Sequence, residues 1–339
     1  MLQKSLVSIL AAGAVVAFGV APAAAQKQTL KMAYWAGPSH HMVQTLQDWI
    51  KTIEQASGGN LTIEVDKAPL AKPNGQYDLV KNGVRDMVWH VPAYTPGRFD
   101  MFRVSELPFL CPNAETCAPA LWNWYTQNKL VDKEFTDTKL LVAFMHGPGG
   151  VHTKKKVTTL EEIKDIKVRA GGAGVPIGKA LGMSVVAMPA TDAHEALQRG
   201  TVEGVLFPYE AMPSFRLMDL VNAHLEIPGG MYTASFIINI NPKSFDKLTD
   251  SNKAALMKAS GEAGSRLFGK AWDAADARAK AQAKKAGHSI SVLSDKELVR
   301  WKEKLQFVTD SWLKQAKEKG HDGQKLLDDF KARVKAASS

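Results

Sequence analysis

The chain opens with a largely apolar run from Leu6 to Val20, preceded by Lys4 and followed by Pro22-Ala23-Ala24-Ala25. A positive start, an apolar stretch and an exit of small residues make a secretory signal peptide. A membrane anchor would need about 20 apolar residues and no such exit. Cleavage is predicted after Ala25, releasing a chain that begins at Gln26 and works in the periplasm. No cysteine stands at that point to carry a lipid.

Beyond Gln26 the pattern alternates. Leu30, Met32 and Tyr34 mark one side of a strand, and a Gly37-Pro38-Ser39 turn follows. Met42, Leu46, Trp49, Ile50 and Ile53 recur at helical spacing up to Gly58-Gly59, and Leu61, Ile63 and Val65 alternate again. Strand, helix and strand in so short a span make a βαβ unit, which favours a parallel sheet covered by helices. A short helix over 77–82 and a strand over 86–91 continue the rhythm.

A strand over 140–144 leads into the crossing Gly147-Pro148-Gly149-Gly150 and a second α/β region. It holds strands near Val168, over 185–188 and over 205–207, with helices beyond Gly174 and over 191–199. A strongly apolar strand spans 234–240, and everything after Pro242 reads as helix, over 250–286 and 295–336. Trp272, Leu298, Trp301, Leu305, Val308 and Trp312 supply a buried face there. The expected division is a signal peptide at 1–25, a lobe I of 26–146 plus 235–274, and a lobe II of 147–234 plus 275–339.

Composition narrows the function. The 339 residues are 45% hydrophobic and 23% charged, enough for about two folded domains. The formal charge of +9 is spread among acidic residues with no basic run interleaved with aromatics, so nucleic-acid binding is not expected. Two cysteines cannot make a four-thiolate zinc site. Cys111 and Cys117, in a Pro-flanked loop, are expected to form a local disulfide in an oxidising compartment.

Several enzyme signatures fail. GAGVPIGKA at 172–180 has Ala173 and Ala180 where a phosphate loop needs Gly and Ser or Thr. In HEALQ, Gln198 stands where a zinc-protease helix needs its second His. No G-x-S-x-G elbow occurs, and no His stands near the cysteines. The His40-His41 pair, expected to diverge as neighbours on a helix start, suits a pocket or helix surface better than a metal.

What remains is recognition: a two-lobe secreted protein whose cleft closes on a small molecule. Arg169 ends a Lys167-Val168-Arg169 strand beside Gly171-Gly172, where a guanidinium can offer a planar fork to a carboxylate. By spacing alone a surface cation is the commoner case.

Together the residues resemble the extracytoplasmic solute-binding proteins of TRAP transporters, the DctP-type family. The matching stretches are Ser39-His40, Ser57-Gly58-Gly59, Asn82-Gly83-Val84-Arg85-Asp86-Met87, Pro96-Gly97-Arg98-Phe99, Leu107-Pro108-Phe109-Leu110, 160–169, 196–204 and Pro208. Each is short, but their order and spacing are specific and cover nearly the whole mature chain. The resemblance implies a two-lobe periplasmic-binding-protein-like α/β fold with crossing strands and long C-terminal helices. It implies transport without catalysis or a cofactor, delivery to TRAP membrane permease subunits, and a salt bridge from Arg169 to the ligand carboxylate.

Two departures shape the expected ligand. Sialic-acid-type members carry a second Arg about twenty residues upstream, where this chain has Pro148-Gly149-Gly150, and a polar Asn where it has Phe207. The pocket is therefore expected to favour a monocarboxylate with an aromatic or branched apolar body. Trp35, His40, Trp89, His90, Tyr209 and Tyr232, near strand ends, are candidates for ligand contact or for packing between lobes. Val205-Leu206-Phe207 lacks the acid that metal-assisted members use, so no metal is expected. The alternatives are an ABC-type binding protein, a ligand sensor for a membrane receptor, and a secreted hydrolase or lyase.

Overall fold

The computed structural model describes residues 27–338, and the signal peptide expected at 1–25 lies outside them. In chain order the strands are β1 Gln28–Ala33, β2 Leu61–Val65, β3 Met87–His90, β4 Lys139–Met145, β5 Gly150–Thr153, β6 Lys167–Ala170, β7 Ser184–Ala187, β8 Gly204–Phe207, β9 Ala223–Glu226, β10 Ser235–Ile240 and β11 Ser289–Val292. The longer helices are α1 His41–Ala56, α2 Ala114–Gln127, α3 Asp250–Ala259, α4 Gly261–Lys285, α5 Asp295–Glu318 and α6 Gly323–Ala337.

The strands form two sheets, one in the order β2-β1-β3-β10-β4 and the other β11-β9-β5-β8-β6-β7. The opening βαβ unit is parallel, as its pattern predicts: β1 pairs with β2 and β3 in parallel. The chain crosses from β4 to β5 and returns into β10, which lies antiparallel between β3 and β4. Its six residues are all buried, which is why it reads as a continuous apolar run. The face of α1 expected from spacing, Met42, Leu46, Trp49, Ile50 and Ile53, is buried. No helix among the described residues is long and apolar enough to cross a membrane.

α4 ties the lobes together. Phe268 and Trp272 join the core beside the first sheet. Asp273 accepts the Ala114 and Glu115 N–H groups at 2.8 Å each, capping α2. One turn on, Asp276 accepts the Glu210 N–H at 2.7 Å, and Lys280 Nζ lies 2.6 Å from Glu226 Oε1 beside β9. Residues three to four apart on one helix thus hold both lobes.

Four expectations are corrected. Cys111 and Cys117 are buried free thiols, not a disulfide. Cys117 lies in α2, and the segment is fixed by the Asn113 cap and by Asp273. The stretch after Pro242 is not all helix, because β11 adds an edge strand beside β9. The two long helical patterns each break at a glycine with positive φ, Gly261 at 61° and Gly320 at 78°. Finally, the C-terminal helix α6, assigned to lobe II from the sequence, packs on lobe I. Trp124 Nε1 donates to Leu326 O at 2.8 Å, and the Phe330 ring stands edge-on to Trp124 at 5.8 Å.

Candidate functional site

Between the two sheets lies a cavity of ≈ 480 Å³, part of it open to solvent, walled by both lobes. Its floor on the second-lobe side is the end of β6. The Arg169 backbone sits between Val186 and Val205, and its side chain is 2% exposed. Nε and Nη2 donate to the Met188 carbonyl at 3.2 and 2.9 Å, and the guanidinium lies 4.1 Å over the Phe207 ring. No carboxylate among the described residues pairs with it. A Cβ at Gly171 would stand 2.6 Å from Arg169 Nη2, so the glycine leaves the guanidinium its place.

The walls are aromatic. Phe207 stacks on Phe215 at 5.6 Å, Phe215 on Trp35 at 6.4 Å, and Phe236 on Trp272 at 5.1 Å. Tyr232 stands edge-on to His146 at 5.5 Å, with its hydroxyl pushed up by burial. His146 is held in one tautomer: Nε2 accepts the Ala234 N–H at 2.9 Å, so Nδ1 carries the proton and donates to Gly147 O at 2.5 Å. Burial, and then the Arg169 charge, bring its pKa down to about 4, and the ring is neutral.

A second polar group faces Arg169 from the other lobe. His40 caps α1 with extended backbone, φ −70° and ψ 133°, and its Nδ1 accepts the Met42 N–H at 3.2 Å. This non-helical cap lets His40 and His41, expected to diverge, stack at 4.9 Å and converge on Glu210. Glu210 Oε2 lies 3.9 Å from His40 Nε2 and 3.5 Å from His41 Nε2, and accepts the Ser214 hydroxyl at 2.8 Å. Burial and the Asp276 charge push the Glu210 carboxyl well up, and burial brings Asp276 itself up to about 8. Burial and His41 hold His40 well below its usual range; burial and Arg278 bring His41 down to about 3.

His40, His41 and Glu210 are the residues spaced to hold a metal among those described. The tautomer argues against it: a neutral His40 that accepts at Nδ1 carries its proton on Nε2, so that nitrogen is a donor. The positive end of α1 and the Arg278 charge also disfavour a cation.

Of the sequence-derived candidates, Arg169, Phe207, Trp35, His40 and Tyr232 line the cavity. Trp89 does not reach it and lies under Trp35 at 4.8 Å. His90 packs away from it against Tyr77 and Phe99, because β3 is covered on both faces. Tyr209 faces a neighbouring cavity with Glu226, Asp276 and Lys280. Glu210, His146, Phe215, Phe236 and Trp272 were missed. Trp272 was legible only as a core position, and Glu210 gave no signal beyond following Pro208.

A family model described as DctP, bacterial extracellular solute-binding protein, family 7, matches residues 32–315. The chain belongs to this family. Its fold is that of TRAP periplasmic solute-binding proteins. One from Bordetella bronchiseptica, with bound (R)- and (S)-mandelate, is 31% identical at a TM-score of 0.87, covering 91% of this chain and 99% of that one. One from Rhodoferax ferrireducens T118, in complex with copurified benzoate, is 31% identical at 0.86, covering 92% and 99%. A marine metagenome TRAP solute-binding protein specific for aromatic acid ligands, with 3-hydroxybenzoate, is 30% identical at 0.86, covering 93% and 100%. The two-lobe α/β architecture and the transport role expected from the sequence both hold.

Proposed function

We propose that this TRAP solute-binding protein captures an aromatic monocarboxylate between its lobes in the periplasm and delivers it to a membrane permease, with Arg169 meeting the carboxylate. The observation that carries this reading is a buried guanidinium without an acidic partner among the described residues, opening onto an aromatic cavity. A buried cation is costly unless an anion joins it, so the site is incomplete until a carboxylate enters. The aromatic walls suit a planar body, each good ring contact contributing about 0.5–1.5 kcal/mol beyond burial. Similarity to proteins that bind mandelate, benzoate and 3-hydroxybenzoate supports the same class.

Titration calorimetry with these three acids tests the reading. The wild-type protein should bind at least one of them, and Arg169→Ala should weaken that binding by roughly 100-fold or more, the loss of two charge-assisted hydrogen bonds. Unchanged binding in the variant, or binding of polyhydroxylated sugar acids only, would refute it.

A further inference from the structure

Resting on that reading and narrowing it, we propose that the ligand carries a hydroxyl besides its carboxylate, and that this oxygen sits between His40 Nε2 and Glu210 Oε2. Both residues are 2% exposed. The Met42 N–H on Nδ1 leaves the His40 proton on Nε2, and this buried donor meets no acceptor. Glu210 offers the acceptor, and His41 Nε2, also without a partner, stands behind.

The gaps of 3.9 and 3.5 Å to Glu210 Oε2 are too long for direct hydrogen bonds. A ligating atom of each of the three residues lies within 4.8 Å of the others. An oxygen about 2.8 Å from all three would sit roughly 1.4–2 Å to one side of the plane of such a triangle. It would accept from His40 and donate to Glu210, which a hydroxyl does and an ether, ketone or methyl does not.

His40 and Glu210 line the same cavity as Arg169, so the position is reached from within it. His40 opens α1 in the first lobe and Glu210 follows β8 in the second, so the hydroxyl would bridge the lobes. Around it Trp35, Phe215 and Trp272 lie 6.0, 5.3 and 5.6 Å from the His40 ring, and the buried indole N–H groups of Trp35 and Trp272 have no partner either.

The test is calorimetry of hydroxy acids against their parents on the mature chain: 3- and 4-hydroxybenzoate against benzoate, and mandelate against phenylacetate. At least one hydroxy acid should bind about tenfold or more tightly than its parent, and which pair responds tells ring from side-chain hydroxyl. In His40→Asn, which keeps a capping acceptor but loses the Nε2–H, that ratio should collapse towards about one. Parents binding as tightly as every hydroxy acid on the unaltered protein would overturn the inference while leaving the aromatic-acid reading intact. So would a ratio that survives in a folded His40→Asn. Binding of none of the acids, parents included, would overturn both.

Discussion

Arg169 is positioned by geometry, not by an opposite charge: two hydrogen bonds to the Met188 carbonyl, a ring beneath it and a glycine beside it. Because burying an uncompensated cation is unfavourable, its removal should not weaken the ligand-free fold. The thermal midpoint of Arg169→Ala without ligand should equal or exceed that of the wild type; a marked drop would mean that the guanidinium serves the fold. Gly171 does not have a positive φ, so alanine fits its backbone there, but the added Cβ would push on Arg169 Nη2. Gly171→Ala should therefore weaken acid binding by about tenfold with little change in thermal midpoint, read by calorimetry and thermal unfolding together. The Lys-x-Arg strand end was readable in the sequence. The absence of a carboxylate partner was not, since any of the chain's acids could have folded against it.

At the scale of elements, α4 does most to hold the cavity's shape, through Asp273 at the start of α2 and Asp276 at Glu210. Asp273 satisfies two N–H groups at the start of α2, which no residue of α2 could do alone. Asp273→Ala should cost about 1–2 kcal/mol of stability, seen as a lower urea midpoint with an unchanged slope. A change under a few tenths would show that the Asn113 cap suffices. α1 was legible because one face is apolar at helical spacing. α2 was hidden: Pro119 inside it and the cysteine on it read as a loop, whereas it is a helix capped by Asn113 and packed against α4 and α6. Likewise His40 and His41 were judged as two helical neighbours, whereas the cap's extended backbone brings their rings together.

Across the whole molecule, the apolar core runs from the first sheet into residues of 190–221 in the second lobe, so the lobes meet around the cavity. Neutral histidines are distributed through this interior. His90 is brought down to about 3, and His146 and His152 to about 4, each mainly by burial. Their folded values lie below the unfolded value near 6.5. Above that pH both states are neutral and the histidines give no pH dependence. As pH falls from about 6.5 towards 4, the unfolded chain binds protons that the folded chain refuses, and stability declines. Thermal midpoints should fall steadily below pH 6.5 and drift down again between about pH 7 and 8, where buried Asp276, held up to about 8, keeps a proton that the unfolded chain has lost; a flat profile down to pH 5 would contradict neutral, buried histidines.

The sequence by itself determined the two α/β regions, the apolar strands and the strand-end arginine, because each is written in short-range periodicity or in residues close along the chain. Tertiary structure alone decided which aromatics face the cavity and which lie beneath it, that α6 returns to the first lobe, and that Glu210 meets the two histidines. Those outcomes depend on contacts between residues far apart in the chain. At these positions burial on every side removes the alternation that would otherwise reveal which way a side chain points.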